Sequence, residues 1–476
     1  MKNLLLLITL SFLLSYLSCV DVKPPAVFSS GGGTMRGRVP MSWVFFSPDN
    51  KESEINVFTE KGSVTLESLD VYELNSIWDG GRDEIYRPQF HYSPKTGVMG
   101  DPHGLVYYDG EYHLFYQWEG PWGHAVSTDM IHWQQLTEAL TPDAHAGGHS
   151  VYSGSCVVDC NNTAGFKTGE NDVIVAIYTI NNDGMESQAL AYSNDRGRTF
   201  TAYAGNPVMA TEYDKRDPKV FWYESDSKWV MALHNKFGVD FYSSPNLKDW
   251  TYMSRVEGFH ECPDIFELPV DGDPKNTKWV LLDASNTGYR LGQFDGTAFI
   301  PETPGMPIDF GRNHYATQTF SNIPKSDGRT IQMAWMKSAH FPGMPFDQQQ
   351  TFPSELSLRT FADGVRLCRA PIREIESIRG KHYQWSNETL MEDSESLLSG
   401  INHELIEIIA VFDLTDATSP EFGFHLPDAV IYYYVAASQL TVLHNNIETT
   451  ATLKPENNKI SIHILLDRAS LEVYAN

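Results

Sequence analysis

Basic residues are scarce in this chain: 35 Lys and Arg stand against 61 Asp and Glu among 476 residues, a formal net charge of −26. That balance excludes nucleic acid as a partner, because phosphates need a basic surface, and it excludes simple electrostatic docking on anionic lipid. A neutral substrate is indifferent to it. Cysteine is scarce too. Cys19, Cys156, Cys160, Cys262 and Cys368 lie scattered without CxxC spacing, so neither a disulfide framework nor a thiolate metal centre is expected. No Gly-rich loop follows a strand and opens a helix, which removes nucleotide chemistry. His124, His145 and His149 form only a loose group, partly in a Gly-rich loop where imidazoles are more often solvated than ligating, so no metal and no cofactor is expected.

Long apolar runs are confined to the start of the chain. Met1-Lys2-Asn3 precedes an almost wholly apolar stretch from Leu4 to Leu14 and then Ser15-Tyr16-Leu17-Ser18-Cys19. This is too short for a lasting membrane span and reads as a secretory signal over residues 1–19. Cys19 stands where a bacterial lipoprotein is cut and acylated, so lipidation there is expected slightly ahead of plain secretion. Membrane contact is expected only through that anchor. Residues 20–40, rich in Pro, Gly and Ser, read as a flexible tether.

What the chain has in quantity is strand pattern. Residues 41–84 alternate short apolar runs with turns and read as a small N-terminal β-rich extension of unassigned role. From about residue 85 to 370, strands of four to seven residues follow one another with hardly any helical periodicity. Examples are Val173-Ile174-Val175-Ala176-Ile177-Tyr178 and Trp229-Val230-Met231-Ala232-Leu233. Similar couplets recur at roughly even spacing, such as Ser127-Thr128-Asp129 with Trp133 and Ser193-Asn194-Asp195 with Phe200. Repeated four-strand units point to an all-β fold, a β-propeller around a central channel. A linker with one plausibly helical stretch is expected over 371–390, and residues 391–476 read as an incomplete β-sandwich.

Three acids occur in one context, each tied to a proline and followed by an aromatic-containing apolar run: Asp101 in Val98-Met99-Gly100-Asp101-Pro102-His103-Gly104, Asp217 in Arg216-Asp217-Pro218, and Glu261 in Glu261-Cys262-Pro263-Asp264. Alone, each is ordinary turn chemistry or a surface ion pair. Acids on the innermost strands of different blades would converge in the channel.

Together, and with Tyr116-Gln117, Trp122-Gly123-His124, Tyr152-Ser153-Gly154-Ser155 and Asn206-Pro207-Val208 between them, these segments resemble glycoside hydrolase family 32, the invertases, inulinases and levanases. The resemblance runs from about Tyr86 through Arg379 and more weakly to the end. It implies five blades. It also implies a retaining hydrolase releasing fructose from β-fructofuranosides, levan, inulin or sucrose, in exo fashion. Asp101 would be the nucleophile, Glu261 the acid/base and Asp217 a holder of sugar hydroxyls. Gln117, Tyr152, Ser153 and Trp335 fall where the family lines its first sugar subsite, and Met99, Gly100, Trp122 and Arg216 are expected to bind substrate with them. The partner implied is thus an oligo- or polysaccharide containing fructose. Gly100, His103 and His260 replace the family's Asn, Asn and Trp, which bears on substrate choice. Rival readings are a fructosyltransferase and a non-catalytic fructan-binding protein. Crowding of Asp101 and Glu261 is expected to raise the pKa of Glu261.

Overall fold

The computed structural model describes residues 37, 39–44, 55–78, 80–284, 288–338 and 340–476. The signal stretch, most of the tether and Cys19 lie outside the described residues. Among the described residues no helix is long and apolar enough to cross a membrane.

Local chemistry sets the hairpins. Asp109-Gly110, Asp183-Gly184 and Asp271-Gly272 all take positive φ and join consecutive antiparallel strands through two residues, the turn whose twist suits a β-hairpin. Such turns build successive antiparallel four-strand runs. The first is Gly97–Tyr108, Glu111–Trp118, Trp122–Ser127 and Gln134–Gln135, and the second is Ser150–Asp159, Val173–Asn182, Met185–Ser193 and Thr201–Ala202. Lys215–Tyr223, Lys228–Asn235, Gly238–Ser244 and Thr251–Glu257 make the third, and Asp264–Val270, Asp273–Leu282, Tyr289–Phe294 and Phe299–Pro301 the fourth. The last comprises Tyr315–Thr319, Thr330–Trp335, Ser354–Phe361 and Gly364–Pro371. Val173 to Tyr178 are wholly buried, as a strand packed on both faces between blades must be.

The first strands of these runs are bonded directly to one another. Ser155 Oγ donates to the Pro218 carbonyl (2.8 Å) and accepts from the Val220 N–H (2.9 Å). Gln318 donates to the Gly154 carbonyl (3.0 Å), and buried Lys219 pairs with Asp264 (2.8 Å) while donating to the Thr319 carbonyl. These bonds tie sequence-distant strands together.

The segment 41–84 does not stand apart as an extension. Val39–Val44 pairs along its whole length with Ser470–Ala475, Asn56–Glu60 pairs with Glu421–Leu426, and Ser63–Leu74 lies between Arg379–Met391 and Ile406–Asp413. The reason is apolar: Trp43, Val57, Leu69 and Val71 share one core with Phe412, Phe422, Phe424, Tyr433 and Ile462. The expected linker over 371–390 is likewise shorter. A 3₁₀ turn, Arg373–Ile378, buries Ile375 and Ile378, and from Arg379 the chain is already sandwich strand. Ser470–Ala475 is flanked on both sides, by Lys459–Asp467 and by Val39–Val44.

Propeller and sandwich share a further apolar cluster that includes Phe90, Met99, Phe352, Ile375, Leu465 and Tyr474. Polar groups fix their register. His91 is enclosed between Asp467 (Nδ1 to Oδ2, 2.7 Å) and Glu472 (Nε2 to Oε1, 3.1 Å). Asp467 also accepts the backbone N–H groups of Gln89, Phe90 and His91, and Glu472 accepts that of Phe352.

Candidate active site

Three irregular segments bring the acids together. Asp101 lies inside the strand Gly97–Tyr108, where pairing with Glu111–Trp118 loses register between Met99 and Pro102. Pro102 has no N–H for the ladder, and a bulge is where a strand tolerates that. Asp217 sits in a second register break, between Arg216 and Lys219, with φ 60°. Glu261 stands in a bend three residues ahead of Asp264–Val270, and the next residue, Cys262, has φ 51°. Left-handed backbone at Asp and Cys costs on the order of 1 kcal/mol each. Here it accompanies the contact of Cys262 with the Asp217 carboxylate.

The side chains meet around Cys262 and Arg216. The Cys262 thiol lies 3.7 Å from Asp101 Oδ2 and 3.4 Å from Asp217 Oδ2, and its backbone N–H donates to Asp217 Oδ2 at 3.1 Å. Burial, and then the carboxylates around it, push that thiol well above its ordinary range, so it stays a protonated, weak donor. Ser153 Oγ donates to Asp101 Oδ2 (2.9 Å). Arg216 holds Glu261 Oε2 through Nη2 (2.6 Å) and Nε (3.2 Å), reaches Asp214 through Nη1 (2.5 Å), and lies 3.7 Å from Asp217. Tyr315 donates to Glu261 Oε1 at 2.5 Å.

This arrangement reverses the expected acidities. Burial, with the Glu261 charge added, pushes Asp101 up to about 6 against the Ser153 hydrogen bond, and pushes Asp217 up to about 8. Burial also works against the ionised form of Glu261, but the bonds from Tyr315 and Arg216 and the Arg216 charge outweigh it and hold that carboxyl below its ordinary value. Crowding alone suggested the opposite. A cation and a phenol aimed at one of three acids decide the matter.

The other residues named from sequence divide. Ser153 and Arg216 contact the acids directly. Tyr152, the chain neighbour of Ser153, is exposed. Gln117 donates to the Val151 carbonyl (3.1 Å), and Gly100 accepts from Gln350 (2.8 Å). Trp335 meets the Tyr315 ring edge-on and bonds Gln348 (3.1 Å). Met99 and Trp122 correct the expectation: both are buried, Trp122 completely, with its indole N–H on the Tyr152 carbonyl (3.0 Å). They hold the wall and have no surface for a sugar. His124 stacks on Phe115 and bonds His113, whereas His145 caps backbone at Thr141. Cys156 and Cys368 are free thiols and buried. Sequence reading missed Tyr315 and Lys337, whose Nζ sits 3.7 Å from the centre of the Tyr315 ring. Neither lies in a motif, although Lys337 is two residues past Trp335.

Residues 91–371 match the glycosyl hydrolases family 32 N-terminal domain, and residues 374–476 match the glycosyl hydrolases family 32 C-terminal domain. The chain belongs to glycosyl hydrolase family 32. It is 41% identical to a levanase of Bacillus subtilis (strain 168) over 444 residues, covering 83% of this chain and 65% of that one. It is 38% identical to invertase 1 of Saccharomyces cerevisiae over 314 residues, 58% of each. The chain thus spans less than two thirds of the length of either relative. The family 32 chain superimposes on the crystal structure of exo-inulinase from Aspergillus awamori with a TM-score of 0.71 at 26% identity, over 83% of this chain and 92% of that chain. Family 32 neighbours combine a propeller with a β-sandwich, and this fold does the same.

Proposed function

We propose that this chain hydrolyses β-fructofuranosides with retention, releasing fructose from the ends of levan or inulin, or from sucrose. The observation that carries the reading is the gathering of Asp101, Asp217 and Glu261 around one thiol and one guanidinium. The names of its relatives, a levanase, an invertase and an exo-inulinase, supply the sugar. Five is the proposed blade number, one for each four-strand run.

In the first step a carboxylate oxygen of Asp101 bonds to the anomeric carbon while the bond from that carbon to the bridging oxygen breaks. Glu261 gives its proton to the departing oxygen. In the second step water, deprotonated by Glu261, attacks the same carbon and frees Asp101. Asp217 holds sugar hydroxyls and steadies positive charge on the ring, and Arg216 orients Glu261. With the aspartates raised and Glu261 lowered, the pocket retains protons into the neutral range, and the productive form is one of its singly protonated states. Activity should therefore fall on both sides of an optimum.

Incubating the purified protein with levan, inulin and sucrose should release free fructose, with the β-anomer appearing first by NMR. Release from none of them would end the proposal. Transfer to sugar at high sucrose would favour the transferase rival instead.

Secretion is proposed in line with a relative described as an extracellular exo-inulinase, with Cys19 as the lipidated residue. A lipid on the N-terminal Cys19 of the mature protein should be visible by mass spectrometry, and Cys19→Ser should release the protein from membranes. An unmodified N-terminus at any other residue would refute the anchor.

A further inference from the structure

Behind Asp101 lies a side chain to which the reaction just described gives no task. His103, two residues along the same strand, is wholly buried, tilted against Trp122 with ring centres 4.1 Å apart. Its Nδ1 is 3.1 Å from Ser153 Oγ, the same oxygen that donates to Asp101 Oδ2. Its Nε2 is buried with no hydrogen-bond partner among the described residues.

These contacts fix the protons. An ionised Asp101 only accepts, so the single hydroxyl proton of Ser153 must point at it. Ser153 Oγ then has only lone pairs for the imidazole, which makes Nδ1 the protonated nitrogen and leaves Nε2 bare. A bare nitrogen suits its enclosed setting, whereas a second N–H there would be a buried donor without an acceptor. Burial also pushes His103 well below its ordinary range, in keeping with a neutral ring.

We propose that His103 is a positioning residue for Asp101, acting through Ser153: its Nδ1–H occupies the hydroxyl oxygen, commits the hydroxyl proton to Oδ2, and leaves Oδ1 turned to the sugar. Among the described residues, Oδ1 has no hydrogen-bond partner. The proposal rests on Asp101 being the nucleophile. Replacement of the expected Asn by His103 thereby preserves a donor at that point while adding an aromatic face against Trp122.

Asp101 is also faced by Glu261, Cys262, Lys337, Asp217 and Tyr315, so the test must isolate the Ser153 route. In His103→Leu, kcat should fall roughly tenfold, the scale of one hydrogen bond to a charged group, with KM little changed. Without His103 the Ser153 hydroxyl is no longer committed to Oδ2, and a weaker bond to the ionised form raises the pKa of Asp101, so one limb of the kcat/KM profile should move to higher pH and neither should move down. His103→Asn, whose amide nitrogen can stand near the former Nδ1, should restore most of the rate. On a Ser153→Ala background, His103→Leu should cost less than twofold further, because groups acting in series do not add. A full additional tenfold loss on that background, or an unmoved pH profile, would reduce His103 to packing. A ¹⁵N–¹H spectrum of the imidazoles reads the parent independently of turnover, so it separates failure here from failure of the fructosidase reading. It should show His103 protonated at Nδ1 alone, and a proton on Nε2 would overturn the proposal even if the His103→Leu chain failed to fold.

Discussion

Asp101→Asn is expected to lower fructose release on the order of 10⁴-fold or more, because no other carboxylate can take its place on the anomeric carbon. The amide keeps an oxygen for the Ser153 hydroxyl, so the fold and the pocket should survive and substrate should still bind. Glu261→Gln is expected to cost less, about 10²–10⁴-fold, the usual worth of a positioned proton donor. The two also differ in kind. A fructoside whose leaving group departs without a proton should regain its first step in Glu261→Gln but not in Asp101→Asn. Rates should be followed by fructose release and by appearance of the leaving group. Parent-like activity in both variants would remove the proposed chemistry from this pocket.

The second large effect concerns stability. His91 is flanked by two carboxylates with no exposure on any of the three side chains. Burial works against its charge, but the hydrogen bonds and charges of Asp467 and Glu472 outweigh it and push the imidazole up to about 9. Both carboxyls are held below their ordinary values, burial again being overcome, chiefly by His91. Because the folded pKa of His91 lies above its unfolded value of about 6.5, its contribution is complete below that value and lost as pH rises through about 9. The depressed carboxyls contribute above their unfolded range, near 4, and lose that contribution as pH falls through their folded values. The clamp between propeller and sandwich is thus strongest from mildly acidic to neutral pH.

His91→Leu would leave two buried carboxylates without their cation, a loss of about 3–5 kcal/mol. Urea unfolding followed by tryptophan fluorescence should show an earlier midpoint near pH 6, with the gap to the parent narrowing as pH rises from about 6.5 through about 9. Equal midpoints at pH 6 would mean that the trio adds nothing.

The acids were legible because each sits in a short sequence whose turn chemistry repeats: Asp101 and Asp217, each followed at once by proline, occupy breaks in strand pairing, and Glu261, two residues ahead of Pro263, stands in the bend before a strand. The propeller was legible because its hairpins are closed by neighbours in sequence, Asp109-Gly110 among them. Pairing of Val39–Val44 with Ser470–Ala475 could not be read, since nothing local names a partner hundreds of residues away. Trp122 was misplaced for a related reason: an aromatic near a site can face the sugar or the wall, and only packing against His103 and Tyr178 decides. The acidity of Glu261 depends on Tyr315, brought in from another blade, so crowding alone gave the wrong sign.

Val39 lies opposite Ala475, so during translation the earlier strand emerges from the ribosome long before its mate exists. At a synthesis rate of roughly 5–20 residues per second the wait is on the order of half a minute or more, time enough for every propeller hairpin to close. The sandwich is therefore the last part to assemble, and until it does, Trp43 and its neighbours are apolar surface that a chaperone or an aggregating neighbour can reach.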